Sequence, residues 1–377
     1  MTKSCRLEAI LQSYKRPVRV VATQSAPMCW RVKLEPLNSL TANGGRGMRT
    51  RLSHLRSLAP DLAAALGVDH VRVIQDKTGM WLEVAKGGDR EVVYTRDVSL
   101  HYIHAKIPFI LGVGMDGSPV VVDLADPSTP NVLIGGATGS GKSQLLHSLI
   151  YGLCKWRNAE KLGLVLLDTN APPENIERGS PLRIKDNDGL AVWRGTAHVQ
   201  GVVARPAHAV DTLVRTLAML RNRYARGKWE KHYVLVIDEL ADLLLDPDYG
   251  DRAHELLVEI AQICRKQGVS IVAATQRPSY DMVKGSLKTN FPARVALTCA
   301  SGIDSRVILD QKGAEMLSGK GDGLLRVGMK VTRFQGGMVE DRDVEEVRGR
   351  REEEVKVRGD QWIYDLADKA AMRWNRR

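Results

Sequence analysis

The chain has 377 residues, 44% apolar and 26% charged, which excludes wholesale disorder and gives room for two or three domains of about 100–200 residues each. The net charge of +11 admits nucleic acid or an anionic surface as partner, but it is unevenly placed: residues 1–60 hold eleven Lys/Arg against two acids, and the other 317 hold 44 against 42. No run reaches the ~18 apolar residues of a membrane span, no apolar stretch follows Lys3 and Arg6 as in a leader, and Cys5, Cys29, Cys154, Cys264 and Cys299 form no close pair, which argues against a zinc site or disulfide framework and for a cytoplasmic location.

Residues 1–105 read as a basic α+β subdomain. Val18–Thr23 and Trp30–Leu34 have strand patterns, and Asn43–Gly47 is a Gly-rich loop. Pro60–Leu66 is a short helix with proline in its first turn and Gly67 just past its end. Val71–Ile74 and Trp81–Ala85 form a hairpin about a turn near Asp76–Gly79, and Phe109–Gly112 with Val120–Asp123 form another closing on Asp116–Gly117. Residues 106–340 read as a second domain, in which apolar strands alternate with amphipathic helices from Asn131 onward. The strands are Asn131–Ile134, Leu162–Leu167, Tyr233–Ile237, Val269–Ala273 and Arg294–Thr298. Leu145, Leu146, Leu149, Ile150 and Leu153 recur at helical spacing, as do Val210, Leu213, Leu217 and Tyr224, and then Leu256, Leu257, Ile260 and Ile263. This order predicts an α/β fold with a mostly parallel sheet covered on both faces. Residues 341–377, with ten basic and ten acidic side chains, read as a solvated helix or frayed tail.

Gly136, Ala137, Thr138, Gly139, Ser140, Gly141, Lys142 and Ser143 fit the phosphate-binding pattern G-x-x-x-x-G-K-[ST], with a strand entering the loop and a helix leaving it. Such a loop turns backbone N–H groups toward the phosphates of ATP; Lys142 would reach the β- and γ-phosphates and Ser143 would ligate Mg²⁺. Asp238 and Glu239 end the buried run Tyr233–Ile237. Asp238 would hold the metal's water shell, and Glu239 would act as general base on the attacking water. Gln276 follows the next strand and emerges at the same sheet edge, where it could bond both a γ-phosphate oxygen and a water. Asp168, ending Leu164–Leu167, is a supporting candidate or a turn former.

These segments resemble the FtsK/SpoIIIE DNA translocases of the HerA-like P-loop ATPases, a short soluble form similar to those of mobile elements. The matching runs are Asn131–Ser143, Val236–Leu244, Ile260–Arg265, Ala274–Ser279 and Ile303–Gln311, within a similarity spanning about residues 17–328. The resemblance implies a RecA-like motor preceded by a small subdomain. It further implies a homo-oligomeric ring, usually a hexamer, that threads double-stranded DNA and hydrolyses ATP between neighbouring subunits. Arg265 matches the arginine that the family offers to the neighbour's γ-phosphate, offsetting transition-state charge. Arg277, Lys288 and Arg306 match pore-facing positions, where cations follow phosphates without reading sequence. The chain also departs from the family. Asp168-Thr169-Asn170 stands where Asp-Pro-Lys is usual, Gly302 replaces a common pore lysine, and the connection between Tyr224 and Tyr233 is shorter than in the chromosome translocases. The residues after Gly328 are too few for the family's winged-helix domain.

The leading expectation is an ATP-hydrolysing, sequence-tolerant DNA translocase serving conjugative or mobile-element transfer, with a membrane or relaxosome protein as a further partner. A viral DNA-packaging ATPase belongs to the same mechanical class. An ATP-gated DNA-binding recruitment module belongs to another, but it would not need the Asp238–Glu239 pair. A small-molecule P-loop kinase would leave the basic N-terminus unexplained.

Overall fold

The computed structural model describes residues 3–27, 29–40, 46–68, 70–76, 78–86, 91–99, 104–169, 184, 188–278 and 285–354. They belong to two units, Met1–Val92 with Gly114–Ser118 and Val93–Val113 with Pro119–Arg377.

The first unit runs α1 (Lys3–Ser13), β1 (Val18–Ser25), β2 (Cys29–Pro36), β3 (Asn38–Leu40), β4 (Arg46–Arg49), α2 (Leu52–Ser57), α3 (Ala59–Leu66), β5 (Val71–Asp76) and β6 (Gly79–Ala85). Strands β1-β2-β6-β5 form an antiparallel sheet. Leu7 and Leu11 of α1, Leu55 of α2 and Leu62 of α3 pack with Val32, Val71, Val73 and Leu82 in its core. The expected strands and the helix ending at Gly67 are present. Helix α1 and the β3–β4 pair had no clear sequence signal; the Asn43–Gly47 loop lies partly outside the described residues.

The second unit contains β7 (Pro108–Gly114), β8 (Pro119–Asp123), β9 (Asn131–Gly135), α4 (Lys142–Trp156), β10 (Leu162–Leu167), β11 (Val199–Val203), α5 (Pro206–Arg226), β12 (His232–Ile237), α6 (Leu240–Leu244), α7 (Gly250–Ile263), β13 (Val269–Thr275), α8 (Gly285–Lys288), β14 (Ala293–Leu297), α9 (Gly302–Leu309), β15 (Asp322–Val327), β16 (Lys330–Gly336) and α10 (Asp341–Glu354). One sheet orders them β11-β10-β12-β13-β9-β14-β15-β16-β7-β8, and the pairs from β11 to β14 are parallel. It is the α/β fold with a mostly parallel sheet that the alternating pattern predicts.

Its central strands β9, β10, β12 and β13 are buried at every position because both faces are covered. Side chains alternate between two cores, as the strand period of two requires. Val132, Leu164, Val234 and Val272 join α4, Trp193 and α10 on one face. Leu133, Val165, Leu235 and Ile271 join α5, α6 and α7 on the other. The charged α10 is not simply solvated. Val344 and Val347 are buried, and Asp343 and Glu340 both bond Arg96, at 2.9 and 3.0 Å. Among the described residues no helix is long and apolar enough to cross a membrane.

Parallel pairing fixes where the functional residues emerge. The loops after β9, β10, β12 and β13 all leave at the carboxyl edge of the sheet, which is where α/β folds bind ligands.

Candidate nucleotide site

The loop from Gly136 to Ser143 joins β9 to α4. Gly139 and Gly141 have φ of +76° and +105°, the left-handed region that glycine enters freely, so the backbone can curl its N–H groups inward. Gly141 has a second reason to lack a side chain: a Cβ there would stand 2.7 Å from the Gly321 nitrogen. Ser143, in the first turn of α4, is exposed, and the helix N-terminus adds a favourable partial charge toward an anion.

Lys142 and Glu239 are 4% and 6% exposed and paired at 3.0 Å. The Lys142 ammonium also donates to the Asp238 carbonyl at 3.1 Å. Glu239 is held on both oxygens, accepting from the Ala241 N–H at 3.2 Å as the cap of α6 and from the Gln276 N–H at 2.8 Å. The Gln276 side chain in turn accepts from the Thr138 hydroxyl at 2.7 Å. One hydrogen-bonded set thus joins the phosphate loop, the Asp238–Glu239 corner and the end of β13.

Asp238 differs from its neighbour. Its Oδ1 is buried without a hydrogen-bond partner. Burial pushes its carboxyl up to about 6 against the pull of Lys142, and Asp168, Glu239 and Asp242 add to the rise. An orphaned carboxylate oxygen at the edge that carries an exposed serine fits a hard cation with oxygen ligands. Among the described residues no cluster of three or more His, Cys, Asp or Glu could hold a metal by itself. A magnesium ion shared with phosphates needs no such cage.

Asp168 adds to the charge around Asp238, but its hydrogen bond goes to a different segment. It is fully buried, its Oδ2 accepts from the Leu190 N–H at 2.7 Å, and a Cβ on Gly189 would come within 2.4 Å of that oxygen. It shapes the 3₁₀ turn Gly189–Trp193, twenty-two residues along the chain, rather than a turn at its own strand end. Asn170 lies outside the described residues.

Arg265 sits on an exposed 3₁₀ turn, Cys264–Lys266, just before β13. Gln276 follows the other end of that seven-residue strand, roughly 20 Å away at ~3.3 Å per residue. The nucleotide loop and Arg265 therefore occupy opposite edges of the sheet within one chain.

Arg277, Lys288 and Arg306 do come together. With Gln276, Ile303 and Asp310 they line a cleft of about 670 Å³. Arg277 and Arg306 are exposed, but Lys288 pairs with Asp310 at 2.7 Å. Arg294 and Arg326 bond the same carboxylate. Burial opposes ionisation of Asp310, yet the Lys288 hydrogen bond and the Arg294 charge bring its carboxyl down to about 2.

Sequence reasoning did not find the support beneath the loop. Gly321 donates to the Ser140 carbonyl at 2.8 Å, Gln335 bonds the Lys320 carbonyl at 2.8 Å, and buried Asp322 pairs with Arg333 at 2.7 Å. The Gly319-Lys320-Gly321 run was the available signal.

The FtsK/SpoIIIE family model matches residues 95–172, which include the phosphate loop. The chain carries an FtsK/SpoIIIE family domain. It is similar to the DNA translocase FtsK of Caldanaerobacter subterraneus subsp. tengcongensis, with 32% identity over 92% of this chain and 48% of that one. The DNA translocase FtsK 2 of Ralstonia nicotianae is 32% identical over 90% of this chain and 46% of its own length. The chain spans about half the length of the curated relatives it matches. In fold it resembles the pCW3 conjugation coupling protein TcpA solved with ATPγS, at a TM-score of 0.56 and 17% identity, covering 93% of this chain and all of that one. The cytoplasmic domain of the Type VII secretion ATPase EccC of Thermomonospora curvata gives 0.54 and 23%, covering 65% of this chain and 31% of that one. Both likenesses are of fold, and they fit the RecA-like α/β core expected of residues 106–340.

Proposed function

We propose that this chain is an ATP-hydrolysing translocase of double-stranded DNA. It works as a ring of copies, with six as the expected number, and serves conjugative or other mobile-element DNA transfer. The observation that carries the reading is the division of the hydrolytic groups: Lys142, Glu239 and Gln276 are hydrogen-bonded together at one sheet edge, while Arg265 stands at the other. An arginine so placed is out of reach of its own chain's phosphate loop, which supports its assignment to another copy's nucleotide. The relatives' description as DNA translocases supports the substrate.

In this scheme the inward-turned loop amides and Lys142 bind the phosphates, and Ser143 and Asp238 would hold magnesium. The metal, when bound, neutralises charge on the β- and γ-phosphates. The γ-phosphate competes with Glu239 for the Lys142 ammonium. Glu239 then remains fixed by the Ala241 and Gln276 N–H groups and can accept a proton from the attacking water. Gln276, tethered to Thr138, links that event to Arg277 and the basic cleft, the face assigned to DNA phosphates.

The test is hydrolysis with and without long duplex DNA, together with displacement of a third strand from linear DNA. DNA-stimulated hydrolysis with directional stripping is expected, and Glu239→Gln should abolish turnover while ATP still binds. DNA binding without displacement would instead identify an ATP-gated recruitment module.

A further inference from the structure

We infer that Arg223 and Trp229 are positioning residues for Arg265. The proposal rests on the reading that Arg265 acts on a neighbouring copy's nucleotide. It concerns the short connection between α5 and β12.

Arg265 is exposed, and the side chain itself is long and flexible. Whatever precision it has on reaching another copy must come from the backbone that presents it. That backbone is the turn Arg265–Gly268, and two side chains grip it. Arg223, in the last turn of α5, donates through Nη1 to the carbonyls of Gln267 at 2.6 Å and Gly268 at 3.1 Å, and through Nη2 to that of Lys231 at 2.9 Å. Trp229 donates from its indole nitrogen to the Lys266 carbonyl at 3.3 Å. Three consecutive carbonyls directly after Arg265 are therefore held by groups from a different element.

Packing reinforces these bonds. Gly268 has φ of +64°, and a Cβ there would come within 2.5 Å of the Trp229 ring, so the indole lies flush on the turn. Trp229 meets His232 edge-on at 5.8 Å, and His232 bonds Ser270 at 3.0 Å. The Arg223 guanidinium lies 5.1 Å from the Tyr233 ring centre and 6.0 Å from that of Trp229. A partly buried cation that spends its fork on carbonyls contributes rigidity, since charge-assisted bonds of fixed geometry resist bending. Trp229 itself is 43% exposed, so the grip lies at the surface that another copy would meet, and the connection that looked merely short holds the turn in place.

Single-turnover ATP hydrolysis on duplex DNA tests this. Trp229→Ala should lower the rate by roughly 10- to 100-fold, the cost of misplacing a catalytic group by about 1 Å. ATP affinity should stay unchanged, because the phosphate loop lies at the other sheet edge. Trp229→Phe should restore most of the rate. Arg223→Lys, which keeps the charge and loses the fork, should resemble Trp229→Ala, with elution volume and melting temperature reporting folding. Each variant is then mixed with Glu239→Gln copies, which carry an intact Arg265 but do not hydrolyse. Rescue of Arg265→Ala and Trp229→Ala alike is the expected result. Rescue of Arg265→Ala alone overturns the positioning role and leaves the reading of Arg265 standing. No rescue of Arg265→Ala removes its action between copies and the proposal with it. Full activity of Trp229→Ala and Arg223→Lys also overturns the positioning role.

Discussion

His147 lies on the inner face of α4, 3% exposed, with its Nδ1 accepting from the Trp193 indole at 2.9 Å. Burial lowers its pKa to about 4, although Asp341 pulls the other way. His232 is brought to about 4 as well, by burial and then by Arg223, against Asp123. The sign follows from linkage. An unfolded histidine takes up a proton below its ordinary value near 6.5, whereas these two refuse it until about 4. Stability is full above pH 6.5 and is lost as the pH falls toward 4, by about 3 kcal/mol at most for each group. Thermal melts across that window should show a steep fall. His147→Gln, which can keep the bond from Trp193 but cannot titrate, should remove about half of it. An unchanged slope would sink this account.

At the element scale, the brace under the phosphate loop is set by one buried pair. Asp322 is fully buried and Arg333 is 8% exposed, joined through two bonds at 2.9 and 2.7 Å. Asp322 also accepts from the Ser318 N–H at 2.9 Å, closing the turn that carries Gly321 to Ser140. Arg333→Ala should cost roughly 3–5 kcal/mol in urea unfolding by stranding the carboxylate and should weaken ATP binding as the brace loosens. Adding Asp322→Ala should recover part of that loss, so the two single costs would exceed the double. Strict additivity would count against coupling. This hairpin also shows what the sequence hid. β9, β10, β12, β13 and β14 were legible because strands covered on both faces are mostly apolar, with exceptions such as Asn131, Ser270 and Arg294. β15 and β16 carry Asp322, Arg326, Lys330, Arg333 and Gln335; Asp322 pairs with Arg333 and Arg326 with Asp310, pairings that no periodicity reveals. Edge strand β11 contains Gln200 and Gly201 and was missed for a similar reason. In the site, the loop, Asp238 and Glu239 were legible because their chemistry is local. The aim of Asp168 was not, because it depends on Leu190, twenty-two residues later in the chain. Nor was the commitment of Lys288 to Asp310, which only tertiary pairing decides.

For the molecule as a whole, the charge imbalance carries a separate expectation. The first 60 residues hold a net +9 and the other 317 a net +2, so the excess is concentrated in the N-terminal stretch, while the rest of the chain presents exposed cations locally, as at Arg277 and Arg306. Some of the N-terminal charge is spent internally: Arg31 pairs with Glu83 at 3.5 Å and stacks on Trp81. Arg51 is exposed ahead of α2, and Arg46 and Arg49 lie on β4, in register with Leu40 and Asn38. A cation that touches a DNA phosphate releases a counterion and contributes about 0.9 to the slope of log affinity against log salt. If this stretch follows the duplex backbone, replacing Arg46, Arg49 and Arg51 with glutamine should flatten that slope by up to ~2.7 and weaken binding to every duplex sequence alike. A titration over several salt concentrations, on two unrelated duplexes, measures both effects. An unchanged slope with full affinity would assign the N-terminal charge to an acidic protein partner, and the proposed grip on DNA would then rest on Arg277 and Arg306 of each copy in the proposed ring.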